Sequence, residues 1–332
     1  MPALELNLPG VSVEPMTRMS PAAGQMLTEA YQVFERAVIS RWIAFELARA
    51  NAIADPAQRA DRHARLRERF RSSEMKHAAA MHAATQGLSV DRLFPAGPAV
   101  SRIRAPEFRD DGILLYVPGG SFVVPRSPQF TGVIARIARA AGSVVAICDY
   151  RLAPEHPCPA AVDDAEDAFD SLVAQGHDPD RIVIVAESTG GGIALAAAQR
   201  LVARGRRPGG LALLSPWADC DPGSPHLDPA TRQCARLYLN GADPRDPEHN
   251  PMYGPMRGLP PITIHASRGD SFFADAEALA RRAAAAGVEV ELRHWPGRLH
   301  VLERHDDADA RRSIAEIAGF INRRLAPLRE AA

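Results

Sequence analysis

From about residue 98 onward, short apolar runs rich in β-branched residues alternate with longer segments of helical composition, and no other feature restricts the fold as strongly. The runs are Ile113–Val117, Ser143–Cys148, Arg181–Ala186, Leu211–Leu214, Ile262–Ala266 and Val288–His294. The helical segments are Thr131–Ala141, Ala161–Gln175, Gly190–Arg204, Asp275–Ala286 and Ala308–Leu325. Such alternation implies an α/β fold built on a mostly parallel, doubly wound sheet. Ligands of these sheets bind beyond the carboxyl ends of the strands. Residues 96–332 are therefore expected to form the catalytic domain.

The N-terminal part follows a different pattern. Residues 1–24 are rich in Pro and Gly and lack a period, so they read as an extended arm. Tyr31, Phe34, Val38, Trp42 and Phe45 then recur at spacings of three and four, one amphipathic helical face. A break at Asp55-Pro56 separates that helix from a second, over about Ala57–Ala84, which carries Arg59, Arg62, Arg65, Arg67, Arg69 and Arg71. This basic row reads as a solvated face with some ion pairs, or as a docking surface for an acidic carrier or an anionic substrate. Residues 1–95 are thus expected to be an arm and a helical cap.

Composition removes several function classes. The net charge is −1, without the basic surplus of a nucleic-acid binder. Lys76 is the only lysine and has no glycine-rich loop before it, so a P-loop is excluded. Cys148, Cys158, Cys220 and Cys234 form no CxxC pair and no zinc pattern, and are expected to be reduced thiols of a cytoplasmic protein. No apolar run reaches the roughly 18 residues of a membrane span. Nothing in the sequence decides for or against a homodimer.

The stretch Ile182-Val183-Ile184-Val185-Ala186-Glu187-Ser188-Thr189-Gly190-Gly191-Gly192 carries the chemistry. A β-branched run enters a tight turn, Ser188 sits at the turn, and a small-residue helix leaves it. This is the pattern of a nucleophile elbow, in which Ala186 and Gly190 let strand and helix approach closely. The start of the helix offers free N–H groups and a positive dipole end to an oxyanion. A capping serine in an ordinary strand–helix turn is the plainer alternative.

A nucleophilic serine needs a base, and the base needs a carboxylate to fix its tautomer. In the order Ser, acid, His, two loops at strand ends supply Asp270 and His300. Asp275 is the rival acid, although it reads as the start of a helix; His305 is the rival base, and His294 falls in or at the end of a strand.

Several blocks together resemble the hormone-sensitive-lipase-like esterases. They are Asp149-Tyr150-Arg151-Leu152-Ala153-Pro154-Glu155-His156-Pro157, its continuation Pro159 to Asp164, Ser215-Pro216-Trp217-Ala218-Asp219, Gly258-Leu259-Pro260-Pro261 and Pro296-Gly297-Arg298-Leu299-His300. The resemblance covers about residues 98–325. It implies an α/β-hydrolase fold with an N-terminal helical cap, Ser188 as nucleophile, His300 as base and Asp270 as its orienting acid. It further implies an oxyanion hole of Gly120, Ser121 and Thr189. The loop Pro118-Gly119-Gly120-Ser121 departs from the family's His-Gly-Gly-Gly, and Thr189 stands where alanine is usual.

The expected activity is hydrolysis of a small-molecule carboxylic ester through an acyl-enzyme, with neither metal nor organic cofactor. Two alternatives stay open on the same residues. One is a specialised acyl transfer, lactone or lyase reaction; the other is a non-catalytic binding protein on a hydrolase scaffold.

Overall fold

The computed structural model describes residues 44–74, 84–93, 99–126, 128–295, 297 and 300–326. Its strands are β1 Ser89–Arg92, β2 Val100–Arg104, β3 Arg109–Val117, β4 Ser143–Cys148, β5 Ile182–Glu187, β6 Gly210–Leu214, β7 Ile262–Ser267 and β8 Val290–Trp295. They form one eight-stranded sheet in the order β1-β2-β4-β3-β5-β6-β7-β8. β1 runs antiparallel to β2, and β2 antiparallel to β4; all later pairings are parallel. The alternating α/β pattern thus becomes an α/β-hydrolase sheet.

Every residue of β4, β5, β6 and β7 is buried. That requires cover on both faces, the usual state of a parallel sheet. The described α-helices include α1 Pro56–Glu74, α2 Pro128–Ala141, α3 Ala160–Ala174, α4 Thr189–Ala203, α5 Pro229–Leu239, α6 Phe273–Ala285 and α7 Ala308–Leu325, and α2, α3, α4, α6 and α7 supply that cover. α2 packs against α7, and α3 against α4. The core runs through the sheet from Ile103 and Leu114 to Ile264, with Phe169 and Phe320 among its largest buried side chains.

Among the described strands and α-helices, β1, β2 and α5 went unread in the sequence. β1 joins the sheet, so the sheet begins before residue 95. The amphipathic-face residues Tyr31, Phe34, Val38 and Trp42 lie outside the described residues, as do Lys76, Pro296, Arg298 and Leu299. Phe45, the described member of that face, is 58% exposed, with Arg49 placed over its ring. The second helix is described over Pro56–Glu74, and residues 75–83 of the expected Ala57–Ala84 lie outside the described residues.

The basic row of α1 is not only a solvated face. Arg67 donates through Nε to Val123 O (2.7 Å), through Nη2 to Ala153 O (2.8 Å), and through Nη1 and Nη2 to the Glu155 carboxylate (2.9 and 2.5 Å). One guanidinium therefore fastens α1 to two loops of the catalytic domain, while Leu66 and His63 on the same helix are buried. A bidentate, partly desolvated Arg–carboxylate pair is worth more than an exposed one.

Candidate active site

β5 delivers Ser188 into α4 through a turn in which Ser188 has φ 53° and ψ −128°. This is a sparsely populated conformation for a residue with a side chain, and it persists only where the surroundings fix it. Here the Ser188 N–H donates to Leu214 O (3.0 Å), while its carbonyl accepts from Gly191 N (2.9 Å) and Trp217 N (2.8 Å). The glycines after it are required by contact. A Cβ on Gly190 would fall on the Val117 carbonyl oxygen and 2.7 Å from that of Pro118; one on Gly191 would lie 2.7 Å from Pro216 Cβ.

The loop after β3 is held by a buried carboxylate. Gly119 N donates to Glu187 Oε1 (2.6 Å) and Oε2 (3.0 Å), and the Tyr116 hydroxyl to Oε1 (2.8 Å). The Tyr150 hydroxyl donates to Pro118 O (2.9 Å). The loop thus has fixed anchors although Pro118 stands in place of the family's histidine. Gly120 (φ 145°), Ser121 (φ 51°) and Phe122 (φ 65°) all have positive φ. Phe122 is kept there by stacking on Tyr238 at 3.8 Å and by Trp217 at 5.1 Å. With Gly119 turned to Glu187, the N–H groups of Gly120 and Ser121, like that of Thr189, are taken by no described acceptor.

Burial pushes the Glu187 carboxyl up to about 8, against the pull of the Gly119 and Tyr116 hydrogen bonds. The sign of the stability effect follows by linkage. Between an unfolded value near 4.5 and a folded value of about 8, the native state holds a proton that the unfolded chain has lost, so this residue lowers stability as pH rises. Replacing Glu187 with Gln removes that slope: relative to wild type, the variant gains stability in urea unfolding from pH 5 to pH 8. An unchanged difference across that range contradicts it. Glu187→Ala instead strands two donors, at roughly 1–3 kcal/mol each.

His300 and Asp270 meet directly. His300 Nδ1 lies 2.9 Å from Asp270 Oδ2, so in the Nδ1–H tautomer the imidazole donates to the carboxylate and leaves Nε2 free. Burial pushes the Asp270 carboxyl up, but the charge and hydrogen bond of His300, with help from Phe272 N–H and the Ser215 hydroxyl, outweigh it and hold the group below its ordinary value. Rings brace the pair to the oxyanion side: Trp217 stacks on Phe272 at 5.1 Å, and Phe272 meets His300 edge-on at 5.2 Å.

The rival residues are used elsewhere. Asp275 accepts from the N–H groups of Ala218 (3.1 Å) and Asp219 (3.0 Å), with His226 Nε2 at 3.1 Å. His294 is exposed on β8 and packs against Phe273. His305 is exposed, with its carbonyl accepting from Arg136.

Ser188, His300, Gly120 and Ser121 line one cavity of about 260 Å³. No hydrogen bond joins Ser188 to His300 directly; without substrate such contacts are often loose. The rest of the wall is mostly apolar, from Leu47, Val123 and Phe130 to Ala230 and Cys234 of α5, with Thr231 and Arg304 the polar additions. The sequence reading missed α5 and Arg304. The Asp228-Pro229 pair was a usable signal for α5, since Asp228 caps Thr231 N at 2.9 Å and Pro229 opens the helix. Leu47 brings the segment before α1 to the cavity, the described part of the expected cap.

Residues 114–304 match the family model described as alpha/beta hydrolase fold. An acetyl-hydrolase of Streptomyces hygroscopicus is 37% identical over 229 residues, covering 64% of this chain and 76% of that protein. The esterase LipU of Mycobacterium tuberculosis is 31% identical over 227 residues, covering 63% and 76%. A crystal structure of an esterase from the bacterial hormone-sensitive lipase family superposes with TM-score 0.72 at 29% identity, over 86% of this chain and 98% of that one. The esterase EstE5, soaked with p-nitrophenyl butyrate, gives TM-score 0.70 at 28% identity, over 80% and 99%. The chain is therefore an α/β-hydrolase. It belongs to that family, among the hormone-sensitive-lipase-like members that the sequence blocks resemble.

Proposed function

We propose that this protein is a serine carboxylesterase in which Ser188 attacks the ester carbonyl, His300 removes its proton and Asp270 orients the imidazole. The observation that carries the reading is the 2.9 Å contact between Asp270 and His300 on the wall of the cavity that also holds Ser188. In the first step the Ser188 proton passes to His300 Nε2, and the oxyanion develops towards the N–H groups of Gly120, Ser121 and Thr189. His300 then protonates the leaving alcohol, and the acyl-enzyme is hydrolysed by water activated at the same nitrogen. The names of the relatives, acetyl-hydrolase and esterase, support a short acyl group, as does a cavity of about 260 Å³. The four cysteines, unpaired in the structure, support a reducing, cytoplasmic setting.

The test is turnover of p-nitrophenyl acetate and butyrate by wild type and by Asp270→Asn. Asparagine keeps the shape but favours the wrong imidazole tautomer, so kcat falls by about 10³–10⁴. Wild type that turns over neither ester, or an Asp270→Asn variant with full activity, refutes the assignment.

A further inference from the structure

A second cavity, of about 390 Å³, lies between α1 and the catalytic domain and shares no described lining residue with the catalytic one. Its described walls include Arg59 and His63 of α1, Asn51 ahead of that helix, Glu155 from the loop after β4, and Asn240 at the end of α5. Arg59, His63 and Arg67 follow one another at intervals of four, so they share one face of α1. Arg67 holds that face against Glu155 (2.5 Å). The basic row read from the sequence thus carries one stripe turned to the catalytic domain.

The arginines of that row differ in what they touch. Arg62 pairs with Glu46, Arg65 with Asp61 and Arg67 with Glu155. The half-buried Arg59 guanidinium has no hydrogen bond or ion pair with a described residue. One turn on, His63 is 2% exposed, and its Nε2 is buried with no hydrogen-bond partner among the described residues. Such an atom costs stability unless a ligand or water pairs it. Burial holds the His63 imidazole below its ordinary value against the pull of Glu155, and the charges of Arg67 and Arg59 act with burial. With Arg67 neutralised by Glu155, Arg59 is the unbalanced charge among the described lining residues. Surroundings that disfavour a cation in this way favour an anion.

Independently of the esterase reading, we propose that this second cavity binds an oxyanion, the phosphate or carboxylate group of a small polar molecule, paired to the Arg59 guanidinium and hydrogen-bonded by the His63 imidazole. A guanidinium fork matches either group, and charge-assisted pairing there is stronger than a neutral hydrogen bond. The cavity has room for more than the anionic group, which leaves Asn51 and Asn240 to the remainder of the molecule. Each amide both donates and accepts, a match for hydroxyl groups. The ligand then sits between α1 and the catalytic domain, beside the Arg67–Glu155 fastening.

The experiment follows the isotope-labelled histidine side chains of the full chain by NMR, with the His63 signal assigned from its loss in His63→Gln. Inorganic phosphate and citrate are titrated separately, and sodium chloride at matched ionic strength is the control. At least one of the two oxyanions shifts the His63 signal along a saturable curve with a Kd of about 1 mM or tighter, and chloride leaves it in place. A response to phosphate alone or to citrate alone identifies the group that the site takes. Arg59→Met, in the first turn of α1, keeps thermal unfolding close to wild type and weakens the binding by about 10-fold or more, the size of one hydrogen bond to a charged group. Arg59→Lys keeps part of it. No saturable shift with either anion overturns the proposal, as does an unchanged Kd in Arg59→Met. A shift confined to His300 places the anion in the catalytic cavity and overturns it equally.

Discussion

Ser188→Ala lowers kcat/KM for p-nitrophenyl butyrate by about 10⁵–10⁶, close to the loss expected when the nucleophile of a serine–histidine pair is removed. The residual rate comes from binding and from the oxyanion donors, which the substitution leaves in place. The variant keeps its fold, because what fixes position 188 is backbone: its N–H on Leu214 and its carbonyl under Gly191 and Trp217. Alanine makes all three contacts. A large loss of rate with unchanged thermal unfolding assigns the chemistry to the hydroxyl. Comparable loss of both would make Ser188 a structural residue, and an active variant would remove it from the mechanism. His300→Ala and Ser188→Ala combined should cost little more than either alone, since the two act as a unit.

The second large effect concerns stability. Gly190→Ala places a methyl group on the Val117 carbonyl oxygen and 2.7 Å from that of Pro118, both backbone atoms that cannot rotate aside. The turn must open, and the variant is expected to lose about 3 kcal/mol or more relative to wild type, together with esterase activity. Gly319, within α7, supplies the control. A Cβ there meets only Arg323 Nη1, at 3.8 Å, so Gly319→Ala should stabilise by up to about 1 kcal/mol through helix propensity. Denaturant unfolding of the two variants gives opposite signs for the same chemical change. A mild effect at Gly190 would show that close approach of β3 and α4 is not what the glycine serves.

These two positions were also the most legible in the sequence. A β-branched run, a serine and three glycines specify a strand, a sharp turn and a tightly packed helix through local rules alone, and the six strands read from the sequence all belong to the sheet, within three or four residues at their ends. β1 and β2 escaped because their sequences, Ser-Val-Asp-Arg and Val-Ser-Arg-Ile-Arg, are short and polar; β1 is exposed at all four positions. Pairing with a neighbouring strand, rather than a hydrophobic pattern, makes them strands. α5 escaped because its buried residues crowd into its second half, from Cys234 to Leu239, too few turns to establish a period.

The acid could not be chosen firmly from sequence. Asp270 and Asp275 both follow β7 within a few residues, and only the fold shows that one faces His300 while the other caps the backbone of Ala218 and Asp219. Arg67 was equally hidden among five other arginines of its helix. Its partner is a carboxylate 88 positions away, in the block Pro154-Glu155, and no local rule reads such a pairing. Glu187 was visible but unassigned: the loop anchor that it provides depends on Tyr116 and Gly119, brought alongside by the β3–β5 pairing.

A serine hydroxyl made nucleophilic by its histidine is read most directly by covalent capture. Incubation with a fluorophosphonate, followed by peptide mass mapping, should place one adduct per chain on Ser188, with labelling slowed by orders of magnitude in His300→Ala. An adduct on another residue, or native protein that stays unlabelled while its fold is intact, would contradict it.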